Sequence, residues 1–139
     1  LNKNILNQNG LNKFKELIAA QGGNPDVCDD YSLLPNADVC QTLTAPVKGF
    51  ITSLNTRDIG RASTATGAGR TVKDAPIDHG AGIIMHKTIG DYVNKGDIVA
   101  EIFAKDSAMC HNAADIMLSA LDISAEKTEP LPSLLEVIE

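Results

Sequence analysis

The sequence has no tryptophan, only 4% aromatic residues, no excess of basic charge, no C-x-x-C pair and no long apolar run. Each absence closes off a class of function. With so few rings there is no platform on which bases could stack, and a net charge of −6 at pH 7 opposes a phosphate backbone. Nucleic acid is therefore not an expected partner. Nothing approaches the roughly 20 consecutive apolar residues that cross a bilayer, and no secretory h-region opens the chain, so no membrane partner is expected either. The cysteines Cys28, Cys40 and Cys110 are odd in number and lack metal or redox spacing. They point to reduced thiols in a cytoplasmic protein rather than a disulfide framework.

What is present is globular. The 139 residues are 43% hydrophobic and 22% charged, and a chain of this size buries about two thirds of its unfolded surface. One domain, or one domain with an appendage, is expected. The chain begins at Leu1 rather than Met, which fits a piece of a longer protein.

Leu11, Phe14, Leu17 and Ile18 repeat at three- and four-residue spacing, the stripe of a helix that Gly22-Gly23 stops. Residues 22–38 read as a connection, with Pro25, Asp29-Asp30, Pro35 and Asn36 as turn formers. From Val39 the pattern becomes extended: Val39–Leu43, Val47–Leu54, Ile83–Met85 (as a buried strand) and Ile98–Ala104 read as strands. Asn55 or Thr56 can cap a short helix running to Thr66, with Ile59, Ala62 and Ala65 inward and Gly67-Ala68-Gly69 ending it. A second long helix spans about Ala108–Leu121, capped by Ser107, with Met109, Ala113, Ile116, Met117, Ala120 and Leu121 as its stripe. Ile123–Thr128 reads as a further strand, and Leu134, Leu135, Val137 and Ile138 should dock on the body. The class is α+β with mostly non-parallel strands.

No constellation reads as catalytic. Gly67-x-Gly69 follows a helix and continues to Val72, so it is no dinucleotide fingerprint, and locally it reads as a helix C-cap leading into a polar loop, residues 70–76. His79, His86 and His111 have no zinc-site spacing, so no metal is expected. Cys110-His111 are neighbours in sequence, which is no guide to a pair that must meet in space. Ser63, Thr64 and Thr66 lack a G-x-S-x-G elbow. Asp29-Asp30 and Asp74 with Asp78 read as turn and capping carboxylates. One further pattern, Ile89-Gly90-Asp91-x-Val93-x-x-Gly96-Asp97-x-Val99-Ala100, has the strand-turn-strand form of biotinyl and lipoyl carrier domains, and Met85-His86-Lys87 is the nearest candidate for a modifiable lysine. A carrier or non-catalytic binding module is the alternative reading.

Three blocks taken together resemble the C-terminal part of pyrimidine-nucleoside and thymidine phosphorylases. They are Lys13-Phe14-Lys15-Glu16 with Ala20-Gln21-Gly22-Gly23, Asp29 and Leu34-Pro35; Gly67-Ala68-Gly69-Arg70 with Lys73-Asp74 and Ile77-Asp78-His79; and Gly82-Ile83, His86-Lys87, Ile89-Gly90-Asp91, Val93 and Lys95-Gly96. Thr66 stands where the family has Leu, Gly80-Ala81 replaces a larger pair, and the usual His after the Ile98–Ile102 strand is missing. The resemblance implies an α/β-hammerhead domain, akin to barrel-sandwich hybrids, over residues 38–139 with flanking helices. Residues 1–37 would be the tail of a preceding phosphate-binding α/β domain, its Leu11/Phe14/Leu17/Ile18 stripe left exposed or covered by a substitute partner. It also implies a C-terminal fragment of an enzyme that takes pyrimidine nucleoside and phosphate to free base and (deoxy)ribose 1-phosphate. That parent would be a homodimer through a helical domain not present here. The family's catalytic, base-binding and phosphate-binding residues belong upstream, so none is carried over, and no cofactor is expected beyond phosphate as the parent's co-substrate. The glycine-arginine loop, with Gly67, Gly69, Arg70 and Lys73, would lie beside the interdomain cleft and settle as it closes.

Overall fold

The computed structural model describes residues 7–130 and 132. The backbone forms two compact units that divide between Asn36 and Ala37.

In the first unit, helix α1 (Asn9–Ala20) forms over the predicted stripe. Its end is a Schellman closure: Gly22, at φ +80°, donates to Ala19 O (3.0 Å), and Gly23 donates to Ile18 O (2.9 Å). The connection that follows is more regular than the sequence suggests. It holds two 3₁₀ turns, Pro25–Cys28 and Tyr31–Leu33, started by the side chains of Asn24 and Asp30, which accept from the backbone N–H of Asp26 and Ser32. Lys15 ties the helix to the first turn through Asp29 at 2.6 Å. No residue of α1 is buried, and Phe14 and Leu17 are half exposed at 53% and 50%.

The second unit is α+β, as expected. Strands β1 (Val39–Thr44), β5 (Ile98–Ala104) and β3 (Gly82–Met85) form one sheet in the order β1-β5-β3. Strands β4 (Tyr92–Val93), β2 (Gly49–Leu54) and β6 (Leu121–Ser124) form the other in the order β4-β2-β6. Every pairing is antiparallel. Helices α2 (Thr56–Ser63) and α3 (Ser107–Ser119) pack on each other and share a core with the first sheet. That core is built around Leu43, Ile102, Cys110 and Met117, with Ala62, Ala100, Ala104, Ala113 and Ala114 setting close spacing. A smaller core of Ala45, Ile51, Val93 and Val99 lies with the second sheet, and Met85 packs against both.

Several boundaries differ from the sequence reading, each for a local reason. Asp106, not Ser107, caps α3: its backbone is extended (φ −144°) and its carboxylate accepts from Met109 N at 2.9 Å, whereas Ser107 is already helical. Strand β6 starts at Leu121 rather than Ile123, because α3 stops at Ser119 and the chain pairs at once with β2, Leu54 opposite Leu121. The Ile83–Met85 strand exists but is an edge, and Ile84 is 51% exposed. Between the two Gly-Asp turns only two residues pair, because each turn locks its own backbone: Asp91 accepts from Thr88 N and Asp97 from Asn94 N, both at 2.8 Å. Leu134, Leu135, Val137 and Ile138 lie outside the described residues. No helix among the described residues is long and apolar enough to cross a membrane.

Candidate functional site

Asn55 starts α2 by accepting from Arg57 N and Asp58 N at 3.2 and 3.3 Å, and its own N–H reaches Ala120 O at 2.9 Å, so the start of α2 is fixed to the end of α3. The helical path begun by α2 ends on the glycines as expected, with Gly69 as its C-cap, but it is not α-helical throughout. It widens into a π turn over Thr64–Ala68, inside which Gly67 takes φ +101°, a conformation that other residues rarely adopt. The chain leaves as the polar loop and returns at Asp78, whose N–H donates to Gly67 O at 3.0 Å. Asp78 in turn accepts from Gly80 N at 2.9 Å. The loop from Gly67 to Pro76 is therefore latched at its base.

This loop, α2 and α3 enclose an open cleft of about 770 Å³. Ala65, Pro76, Met109 and Ile116 give it an apolar floor, while Arg57, Arg61, Thr64, Thr71 and Asn112 supply polar groups. Among the described residues no Asp, Glu, His or Cys lines it. Arg61 is paired with Asp58 at 3.0 Å, and Arg57 makes no ion pair among the described residues. The cleft is therefore a positive pocket in a chain of net charge −6. Its donors can hold an anionic or polar group, but its described residues include no group suited to proton transfer near neutrality.

Of the four predicted loop residues, Gly67 and Gly69 line the cleft, whereas Arg70 and Lys73 are exposed on the loop and outside its lining. Both glycines are packed: a Cβ on Gly69 would stand 2.8 Å from Thr64 Oγ1, and one on Gly67 would stand 3.3 Å from Met109 Cε. Arg57 and Arg61 escaped the sequence reading, although their four-residue spacing after a cap residue puts them on one face of α2.

The remaining reactive side chains do not converge. His86 Nε2 meets Glu101 Oε2 at 2.7 Å, His111 Nδ1 lies against Ser107 O, and His79 is exposed. Among the described residues no cluster of three or more His, Cys, Asp or Glu is placed to hold a metal. Cys110 is buried next to exposed His111, so the two cannot act as a pair. Burial pushes the Cys110 thiol up from its ordinary value, while Cys40 is exposed. With the folded-state value raised, the folded chain holds this proton more tightly. Stability from this site is full below the ordinary thiol range, about 8.5, and falls as pH rises beyond it. An alkylating reagent at pH 8 should label Cys40 promptly and Cys110 only after denaturant is added. Mass spectrometry of the labelled peptides checks this, and equal labelling rates would contradict the burial.

A family model described as the pyrimidine nucleoside phosphorylase C-terminal domain matches residues 50–124, which hold α2, the loop, β3 to β5, α3 and β6. The chain is similar to the pyrimidine-nucleoside phosphorylase of Staphylococcus epidermidis, 35% identical over 92% of this chain and 29% of that protein. It is also similar to those of Geobacillus stearothermophilus, at 36% over 75% of this chain and 24% of the relative, and of Bacillus subtilis, at 32% over 89% and 28%. The chain thus spans less than a third of the length of these curated relatives. A biotinyl- or lipoyl-carrier reading is not favoured: the match is to another family, and Lys87 is half-buried in the segment between β3 and β4.

Proposed function

We propose a function from one premise: the chain belongs to the pyrimidine-nucleoside phosphorylase family. It is the C-terminal part of a transferase that splits pyrimidine nucleosides, thymidine among them, with phosphate as co-substrate in cytoplasmic nucleoside salvage. The observation that carries this is the family match over residues 50–124, which takes in the whole Gly67–Pro76 loop and both helices of the positive cleft. Phosphorolysis needs phosphate and nucleoside held in line, with donors on the phosphate and contacts to the base. The described residues of the cleft offer donors for an anion but no opposing set of contacts for a base, so this chain alone is inactive and serves as a structural module that helps close the parent's active site. The parent binds nucleoside and phosphate upstream of this chain and dimerises through an upstream helical domain.

Two measurements test the reading. The full-length gene product, assayed with thymidine and with uridine plus phosphate, should release free base, and the 139-residue chain should not. Absence of base release from both nucleosides by the full-length protein would sink the proposal, and release by the short chain would refute its inactivity.

The loop carries its own expectation. With Gly67 and Gly69 at its base and Arg70 and Lys73 exposed on it, it borders the parent's interdomain cleft and settles as that cleft closes, Arg57 and Arg61 adding positive charge at its edge. Trypsin cuts after Arg70 and Lys73. Phosphate plus a nucleoside analogue should slow these cuts several-fold in the full-length protein and leave them unchanged in the isolated chain. Identical cutting rates with and without ligand in the full-length protein would remove the closure role.

A further inference from the structure

Arg57, Gly60 and Arg61 follow one another on a single face of α2, and all three line the cleft between α2, α3 and the Gly67–Pro76 loop. Gly60 has no need of its own to be glycine. Its φ is not positive, and no described atom lies within 4 Å of a Cβ built on it. A glycine inside a helix weakens that helix, so the fold bears a cost here that neither backbone nor packing demands. What a side chain at this position would take up is space in the cleft, beside both arginines.

The arginines stand one turn apart, about 6 Å between Cβ atoms, and both are exposed. Arg61 gives Nη1 to Asp58 at 3.0 Å, which steadies the guanidinium and leaves it further N–H donors. Two such forks suit a head group with three outer oxygens and a double negative charge, a phosphate monoester, better than the two oxygens of a carboxylate. Thr64 spends its hydroxyl proton on Gly60 O at 3.1 Å, so Thr71 on the loop and Asn112 on α3 are the neutral side-chain donors. Met109 and Ile116, on the same face of α3 as Asn112, form the apolar floor with Pro76. Inorganic phosphate gains nothing from such a floor, whereas a flat organic body joined to the phosphate does. The volume, about 770 Å³, is that of a small-molecule site.

We infer that this cleft is a binding site for a phosphate monoester with a flat organic body, the chemistry of a nucleoside monophosphate, with the phosphate on Arg57 and Arg61 and the ring over Met109, Ile116 and Pro76. A single apolar face supports a ring without reading its edge, so the site tolerates different bases. The inference goes beyond the phosphorylase reading and is independent of it, since base release by the full-length protein does not require a nucleotide here.

Calorimetric titration of the 139-residue chain with uridine 5′-monophosphate, adenosine 5′-monophosphate, uridine and inorganic phosphate tests this. Both monophosphates should saturate one site per chain, each binding roughly tenfold or more tighter than uridine or inorganic phosphate. Gly60→Leu fills the cleft while favouring the helix, so it should melt no lower than the parent chain and yet bind both monophosphates roughly tenfold or more weakly. Arg57→Gln with Arg61→Gln should lose binding to a similar extent. A Gly60→Leu chain that binds like the parent would overturn the site even if the arginine variant loses binding, because the anion would then be held by surface charge alone. Inorganic phosphate binding as tightly as the monophosphates would overturn it too, as would the absence of saturable binding by either nucleotide.

Discussion

Gly49→Ala should lower the melting temperature of the chain by roughly 15 °C, the outcome of about 3 kcal/mol of lost stability in a unit of this size. Gly49 opens β2 at φ +153° and is buried between β4 and β6. A Cβ there would stand 2.3 Å from Ser124 O and 2.9 Å from both Ser124 C and Ile123 Cγ2. The obstacle is backbone of a paired strand, so relief requires moving β6 away from β2, not turning a side chain. Phe50 pairs with Ser124 and Ile51 with Ile123, so that movement breaks the sheet's ladder at the point where the smaller core is sealed. Gly60→Ala is the matched control. It lies in α2 with nothing within 4 Å of a Cβ and no positive φ, so alanine should raise stability by about 0.5–1 kcal/mol through helix propensity and the unfolded chain's lost freedom. Thermal melts of the two variants must move in opposite directions. A Gly49→Ala protein that melts within 2–3 °C of the parent, roughly the effect of 0.5 kcal/mol, would show that β2 and β6 are not in this register.

How far the sequence discloses this structure depends on how local each cause is. The stripes of α1 and α3 and the apolar run of β5 are periodic over many residues, and periodicity is a property of the chain itself. The Gly22-Gly23 stop and the two Gly-Asp turns are likewise short-range. What escaped is set by distant partners. Ile83-Ile84-Met85 reads as buried because it is apolar, but nothing local tells that β3 pairs only with β5 and leaves Ile84 at the surface. The Asp106 cap turns on one residue's backbone angle, which two adjacent capping types cannot decide. The cleft is the clearest case. Arg57 and Arg61 sit on α2, and the opposite wall comes from Met109, Asn112 and Ile116 on α3, some fifty residues on. The glycines of the loop were legible as a turn, whereas their role as a wall against Thr64 and Met109 depends on packing that no local pattern encodes.

The same contrast between the two faces of one sheet gives the second large effect. Ile102→Ala should destabilise the chain by about 3–4 kcal/mol, while Ile84→Ala should cost well under about 1 kcal/mol. Ile102 sits in β5, the central strand of its sheet, with Gln41 of β1 on one side and Ile83 of β3 on the other. It is fully buried, in the core that also holds Leu43, Cys110 and Met117. Because successive strand residues alternate faces, its neighbour Glu101 points away from that core, and the residue opposite Glu101 is Ile84. The expected cost lies high for an isoleucine because of what surrounds it. Ala62, Ala100, Ala104, Ala113 and Ala114 cannot swing into a void, so the cavity persists, and Met117 is the side chain best able to fill part of it. Urea unfolding separates the cases: the Ile102→Ala midpoint should fall steeply at an unchanged slope, and the Ile84→Ala midpoint should barely move. Equal losses at the two positions would mean that β5 is shifted by one residue, which would turn its buried face outward.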